Sequence, residues 1–256
     1  MNQIFDNIDA RSYSKAIQCK VCGESSSLFG VVDFNKSCED HKGRALPLAG
    51  VPIYYHRCDC CGLIFTVALD KWSKQEYMNN IYNESYVNVD PEYISIRPEQ
   101  NAEVTRRVAK ENRTLSILDY GGGNGHCSQR LVEQGFNAKS WDPMDSDAEK
   151  PIGLRVDLVT AFEVMEHSPT PVDTLAEASS FLKDNGIMFF STLAIDQERN
   201  ASPSVQHWYI APRNGHITIF TQKSLDILAK KCGLQIHHAN LSHHIVFRSV
   251  PAWLNA

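Results

Sequence analysis

Two short cysteine steps carry chemistry that can be read from spacing alone. Cys19-Lys20-Val21-Cys22-Gly23 and Cys58-Asp59-Cys60-Cys61-Gly62 both read C-x-x-C-G. The glycine after the second cysteine lets each turn aim amide N–H groups at the sulfurs. Four thiolates from two such knuckles make the closed tetrahedral set that structural zinc prefers. Buried free thiols or a redox pair are the other uses of the same residues. Cys38 and Cys60 are spare, and Cys38, His41 and His56 are weaker candidate ligands. Nothing in the pattern suggests an open coordination position, so a structural Zn2+ held by Cys19, Cys22, Cys58 and Cys61 is the expectation.

A second constellation begins at Ser116-Ile117-Leu118-Asp119-Tyr120-Gly121-Gly122-Gly123-Asn124-Gly125. An apolar strand runs into a glycine turn, and a helix follows with Cys127, Leu131 and Val132 as its apolar stripe. Gly135-Phe136 reads as its stop. Glycines at 121, 123 and 125 allow a tight turn and close approach of a ligand to the backbone. The dinucleotide pattern G-x-G-x-x-G fails, because its third glycine position is His126. Asp142 ends the next strand-like run, about twenty residues on, where a carboxylate can accept both hydroxyls of a ribose; a turn Asp before Pro143 is the plainer use. The apolar run Asp157 to Ala161 suits a central parallel strand, and it leads into Phe162-Glu163-Val164-Met165-Glu166-His167.

Histidine is the side chain best matched to proton transfer near neutral pH. His167 stands at the end of the central strand. His216 closes a long connection, 194–215, that also carries His207, Trp208, Tyr209 and Arg213; such connections are usually functional or disordered. His167, His216 and His207, nine residues before His216, are the three candidate bases, with His216 preferred. His167 could instead orient Glu163 or cap the next turn, and His216 could anchor its loop. Tyr209 is a candidate donor to a substrate hydroxyl. His237, His238, His243 and His244 are read as solvent-facing or core histidines, because neighbours in a strand point to opposite faces.

The elements that must position these groups follow from pattern. Strands are expected at 28–34, 51–57, 115–119, 137–141, 187–193, 234–240 and 244–249. Helices are expected from Arg97-Pro98 to about 111, over 125–134, from Pro171 to a stop at Asn185-Gly186, and from Thr221 to Gly233. The inner stripe of the third of these is Val172, Leu175, Ala176, Ser179 and Leu182. Between Asp142 and Asp157 there is room only for a short connection. Tyr77, Tyr82, Tyr86 and Tyr93 lie in a stretch that either lids a small-molecule site or joins two modules. Arg97 either reaches a cofactor carboxylate or sits on the surface.

The chain has 256 residues, 43% hydrophobic and 21% charged, with a net charge of −5. That balance suits a globular α/β core with a small extra module, and it argues against a large nucleic-acid footprint, which needs a basic face. No run approaches the ~20 apolar residues of a membrane span, and Met1 to Ile17 has no signal-type apolar core, so the cytoplasm is the expected location.

The run D-x-G-x-G-x-G at Asp119 to Gly125 resembles motif I of the class I S-adenosylmethionine-dependent methyltransferases. Glu163-Val164-Met165-Glu166-His167 resembles the matching strand end of ubiquinone-type O-methyltransferases. The paired knuckles, the tyrosines at 82–86 and the 209–216 loop resemble zinc-containing nucleotide-sugar C-methyltransferases. The resemblance implies an α/β fold: a Rossmann-like, mostly parallel sheet whose last strand is antiparallel, with a small zinc-ribbon-like module before it. It implies domains at 1–66 (zinc module), 67–111 (helical and aromatic linker and lid) and 112–256 (cofactor-binding core). S-adenosylmethionine would lie against Asp119, Tyr120, Gly121, Gly123, Asp142, Pro143, Phe162 and Glu163, with Pro143 and Met144 nearest the adenine. His216 or His167, with Tyr209, would serve a small-molecule acceptor such as a sugar, nucleotide sugar or glycan precursor. The stretch read here departs from the nucleotide-sugar C-methyltransferases in lacking the further α/β domain they carry after the core, so O-methylation of a sugar or another small molecule is expected at least as readily as C-methylation. An RNA methyltransferase using the zinc module, or a cofactor-binding protein without turnover, are the competing expectations.

Overall fold

The computed structural model describes residues 16–195 and 204–255. The expected lead-in at 1–17 falls almost wholly outside the described residues, as does the middle of the 194–215 connection. From the N-terminal side, β1 (Ile17–Gln18) and β2 (Ser25–Asp33) flank the first cysteine step, and β3 (Pro52–Cys58) and β4 (Ile64–Phe65) flank the second. α1 (Lys74–Asn80) starts at Ser73, which exchanges hydrogen bonds with Glu76 in a capping box. α2 (Tyr86–Val89) is a single turn, and α3 (Ile96–Val108) follows. Next come β5 (Ser116–Tyr120), α4 (His126–Glu133), β6 (Asn137–Trp141), β7 (Val156–Ala161), α5 (Pro171–Ser180) and β8 (Leu182–Ser191). β9 (Thr218–Ile219), α6 (Gln222–Lys231), β10 (Gln235–His238), β11 (His243–Phe247) and α7 (Ala252–Asn255) complete the chain.

Two compact units form, and each draws on several segments. The first takes Met1–Pro91, Glu166–Pro171 and Leu193–Ile227; the second takes Glu92–Met165, Val172–Thr192 and Leu228–Ala256. The units therefore interleave along the chain, where the sequence reading sets three consecutive stretches.

The first unit is built on an antiparallel sheet of order β1-β2-β3-β4-β9. Its fifth strand comes from far along the chain: Ile64 pairs with Ile219 and Phe65 with Thr218. The second unit holds a six-stranded sheet of order β10-β11-β8-β7-β5-β6. β8, β7, β5 and β6 are mutually parallel, and β11 runs antiparallel to β8 and β10. This is the mostly parallel sheet with a reversed last strand that the resemblance implies. Residues 142–155 form neither helix nor strand, so β6 stands at the sheet's edge, as the short spacing predicts. No helix among the described residues is long and apolar enough to cross a membrane.

Ile117, Leu158 and Ile187 from the central strands pack with Cys127 and Leu131 of α4, Ala102 of α3 and Phe136. Gly135 takes φ +87°, and Phe136 N donates to Leu131 O at 3.0 Å, so the helix stop is a glycine cap with an apolar residue behind it. Several boundaries differ from expectation. Val132 of α4 is exposed, and the buried face runs through Cys127, Ser128 and Leu131. α3 ends at Val108, because Lys110 and Glu111 adopt left-handed φ of 50° and 59°. α5 ends at Ser180, its buried face is Leu175, Ala178 and Ser179, and Ala176 faces solvent. Asn185-Gly186 lies inside β8, at a register shift against β7. A Cβ at Gly186 would sit 3.0 Å from the Val156 carbonyl oxygen, so the glycine serves strand contact rather than a helix stop.

Candidate active site and metal centre

The residues expected at the cofactor are assembled in the second unit. β5 delivers Asp119 to the glycine turn with its carboxylate buried. Thr160 Oγ1 of β7 donates to Asp119 Oδ1 at 2.9 Å. Burial pushes the Asp119 carboxyl up to about 6, against the opposing pull of the Thr160 and Cys127 hydrogen bonds. Gly121, Gly123 and Gly125 take φ of 71°, 53° and 73°, values that only glycine adopts without strain. A Cβ at Gly121 would meet Val164 at 2.6 Å. Gly122 is tighter still: a Cβ there would lie 2.3 Å from Ser140 Oγ and 2.5 Å from Asp119 Oδ2. At Gly123 the nearest atom to such a carbon is the Tyr93 hydroxyl at 3.8 Å, so this glycine faces open space. Asp142 closes the turn: its Oδ2 accepts from Gly123 N at 2.8 Å and its Oδ1 from Met144 N at 2.7 Å. Asp142 is thus both an available acid and a brace for the turn.

The remaining expected cofactor residues fall in different surroundings. Tyr120 turns its ring towards Trp141 and Phe181, and its hydroxyl donates to Glu177 Oε2 at 2.8 Å, which leaves only its backbone for the glycine turn. Phe162 packs in the core against Phe189. Glu163 holds a left-handed φ of 55°, its amide donates to Ser191 Oγ at 3.0 Å, and Arg97 Nη1 lies 3.5 Å from its carboxylate. A non-glycine residue held there marks local strain of roughly 1–3 kcal/mol, a cost the surrounding packing must sustain. Pro143 is half-buried beside the bonds of Asp142. Residues fit for an amino-acid-bearing nucleoside are present: a buried acid, an open glycine turn and a second acid at the next strand end. Gly122 and Thr160 were not singled out from sequence, whereas Tyr93, from the expected tyrosine-rich stretch, is the residue nearest the open side of Gly123.

The groups expected to handle a proton gather in the first unit. Glu166 is fully buried, and the Tyr209 hydroxyl donates to its Oε1 at 2.6 Å. Leu193 N in turn donates to that hydroxyl at 3.2 Å. In this structure Tyr209 gives its one proton to Glu166 and positions it. His216 Nδ1 is 2.8 Å from the Tyr209 carbonyl oxygen, and its ring stands 5.0 Å from that of His167. His167 Nδ1 is 3.1 Å from the Tyr82 hydroxyl. Gly215, at φ +87°, makes room: a Cβ there would meet His167 Nδ1 at 2.9 Å and the Tyr82 hydroxyl at 3.0 Å. Glu166, His167 and His216 each offer a ligand atom within 4.8 Å of the others, so they could also hold a cation. Glu166 had no role in the sequence reading, although it stands next to His167.

The four cysteines converge. Their sulfurs lie within 4.8 Å of one another, with Cys19–Cys61 at 3.6 Å and Cys22–Cys58 at 3.3 Å. A tetrahedral site with Zn–S of about 2.3 Å has edges of about 3.8 Å. Val21 N and Cys61 N point at Cys19 Sγ and Cys58 Sγ, both at 3.4 Å, and Gly23 and Gly62 take φ of 85° and 75°. The donor set and its amides thus suit Zn2+. His41 bonds the Cys38 carbonyl and Cys38 approaches His216, so neither joins this group.

A mostly parallel α/β sheet with an acid, a glycine turn and a second acid at consecutive strand ends defines a Rossmann-like, nucleoside-cofactor-binding protein. Comparison with known proteins narrows this. Residues 93–239, more than half of the chain, match the family model described as a methyltransferase domain. The ubiquinone biosynthesis O-methyltransferase of Hydrogenovibrio crunogenus is 27% identical over 160 residues, covering 48% of this chain and 63% of that protein. The mitochondrial ubiquinone biosynthesis O-methyltransferase of Candida albicans is 27% identical over 137 residues, covering 43% of this chain and 42% of that protein. The chain thus spans less than two thirds of the length of these relatives. An O-methyltransferase family protein from Burkholderia thailandensis shares the fold, with a TM-score of 0.51 at 12% identity over 70% of this chain and 63% of that one. The chain belongs to the class I S-adenosylmethionine-dependent methyltransferases.

Proposed function

We propose that the protein transfers the methyl group of S-adenosylmethionine to a hydroxyl of a small molecule, with His216 as general base. The observation that carries the base is the 2.8 Å approach of His216 Nδ1 to the Tyr209 carbonyl oxygen. A carbonyl oxygen only accepts, so Nδ1 bears the proton and Nε2 keeps the lone pair. His167 faces a phenol, which both donates and accepts, so its tautomer is not dictated in the same way. The cofactor, when bound, supplies an electrophilic methyl on sulfur. His216 Nε2 takes the acceptor hydroxyl proton as oxygen attacks, and Glu166 and Tyr209 hold the base in place.

The names of the relatives support oxygen as the acceptor atom. The likeness of the knuckles and the 209–216 loop to nucleotide-sugar enzymes supports a carbohydrate, a nucleotide sugar or a glycan precursor. Labelled S-adenosylmethionine offered with fractionated metabolites and, separately, with RNA identifies the acceptor; label in RNA alone defeats the small-molecule reading, and binding without transfer defeats turnover. With the acceptor in hand, His216→Ala should lose about 10²–10⁴-fold in rate and keep cofactor affinity. Near-normal turnover in His216→Ala with loss in His167→Ala would move the base to His167.

A second reading has its own observation, the convergence of Glu166, His167 and His216 within 4.8 Å. A fully buried carboxylate with two imidazoles is a plausible divalent-cation set. Turnover that is lost on mild chelation and restored by Fe2+, Mn2+ or Zn2+, with the cysteine-bound metal retained throughout, would favour it over a metal-free base.

A further inference from the structure

The second cysteine knuckle is bonded to the short segment, 216–221, that begins at His216 and contains β9. β4 leaves the knuckle and pairs with β9. Thr66 N donates to Ile217 O at 3.0 Å, and the Tyr55 hydroxyl of β3 donates to His216 O at 2.6 Å. Beyond β9 the Thr221 hydroxyl donates to the Cys61 carbonyl oxygen at 2.6 Å, and the Lys223 ammonium reaches the Cys60 carbonyl oxygen. The strand's other bonds run to the remaining half of the histidine cluster. Ile217 N donates to Glu166 O at 3.0 Å, and Thr218 Oγ1 donates to Ser168 O at 2.7 Å. Residues 216–221 thus lie between the knuckle and the Glu166–His167 turn, bonded to both and buried throughout.

We infer that the four-cysteine knuckle is a brace for the proton-handling cluster, so that its metal governs the geometry of His216, with Tyr55 as a positioning residue. A metal that joins two loops contributes its binding energy to the folding of what those loops hold. Here the held structure is β4, β9 and, through Ile217 and Thr218, the Glu166 turn. A module that served only to recruit a partner would have no need of the bonds from Thr66 and Tyr55 to residues 216 and 217, nor of those from Thr221 and Lys223 to the knuckle's own carbonyls. The inference rests on the zinc assignment and on the role proposed for His216, and its test separates it from both.

Amide hydrogen exchange of the full chain, as purified and after zinc is stripped with a mercurial and a chelator, reads the brace directly. Loss of metal should raise exchange over 64–66 and 216–219 on the order of tenfold, with β5 still protected, and returned zinc should restore it. Opening of 58–62 with unchanged protection at 216–219 overturns the brace. If the purified protein holds no zinc, the metal assignment fails, and Tyr55→Phe decides what remains. That variant keeps the ring and removes the bond to His216 O. It should raise exchange at 216–219 and move the His216 ring resonances at constant pH, and unchanged signals on both counts overturn the positioning role. Neither readout depends on the acceptor or on turnover.

Discussion

A methyl group at residue 122 would have nowhere to go. It would meet the Ser140 hydroxyl at 2.3 Å and the Asp119 carboxylate at 2.5 Å, and Asp119 cannot retreat because it is buried and bonded to Thr160. Gly122→Ala should therefore displace Asp119 and weaken S-adenosylmethionine binding by about 1–3 kcal/mol, the scale of a lost buried polar contact. Asp142→Ala should cost a similar amount, since it removes both an acid and the acceptor of Gly123 N. Titration calorimetry checks both, and unchanged affinity in the pair would remove the glycine turn from the cofactor site. At this scale the arrangement was legible where local spacing sets it: Asp119 and Gly121 meet at one turn, Asp142 braces that turn, and the four cysteines converge. The sequence was silent on Gly122 and Glu166. The role of Gly122 is set by Ser140, eighteen residues away, and that of Glu166 by Tyr209 and His216, and spacing along one strand reports neither.

The hairpin of β10 and β11 shows the same limit for elements. Alternation places His237 and His238 on opposite faces, and likewise His243 and His244, which argues against convergence within either pair. Register brings one member of each together: His238 faces His244 across the hairpin, with their Nδ1 atoms 2.8 Å apart. His244 Nε2 lies 3.0 Å from the Thr192 carbonyl oxygen, so Nε2 carries the proton and the two Nδ1 atoms share one from His238. Burial, then the charges of His238 and His243, draws the His244 pKa down from 6.5 to about 4, against the Thr192 bond. The unfolded chain then binds the extra proton between those values, so stability is full above about 6.5 and falls as the pH drops towards 4. For this group the loss between pH 7.5 and pH 5 is about 2 kcal/mol. Urea unfolding of the parent and of His244→Gln at the two pH values measures it as the difference between their acid losses; equal losses would mean that His244 titrates normally. The misread end of α5 has a related cause. Asn-Gly is a sound local helix stop, yet Gly186 is needed where β8 crosses close to β7, and the helix had already ended at Ser180.

For the whole molecule, the consecutive strand-helix order made the parallel sheet legible, because each β5-α4-β6 step is local. The other unit was not legible in the same way, since β4 and β9 pair across some 150 residues and a two-residue strand has no periodicity to detect. What holds that unit therefore bears directly on the metal. The sulfurs of Cys19 and Cys61, and of Cys22 and Cys58, are close enough that the four cannot all ionise without a cation: Cys19 is drawn down to about 5 by its bond to Cys61, burial holds Cys22 up at about 12, and Cys61 is raised. A divalent ion resolves that conflict by taking all four as thiolates. Lys20, in the turn between Cys19 and Cys22, is buried and paired with Asp70 at 2.5 Å, so this stretch is packed into the unit rather than exposed as a mobile finger. The purified chain should then carry one zinc by elemental analysis, without added metal. The double change Cys19→Ser and Cys58→Ser should abolish it and lower the thermal midpoint by several degrees, as about 1–2 kcal/mol or more does for a unit of this size. Zinc that is absent from the parent, or fully retained in the double variant, would remove the metal from these four sulfurs and leave the first unit to be held by its sheet and aromatic core alone.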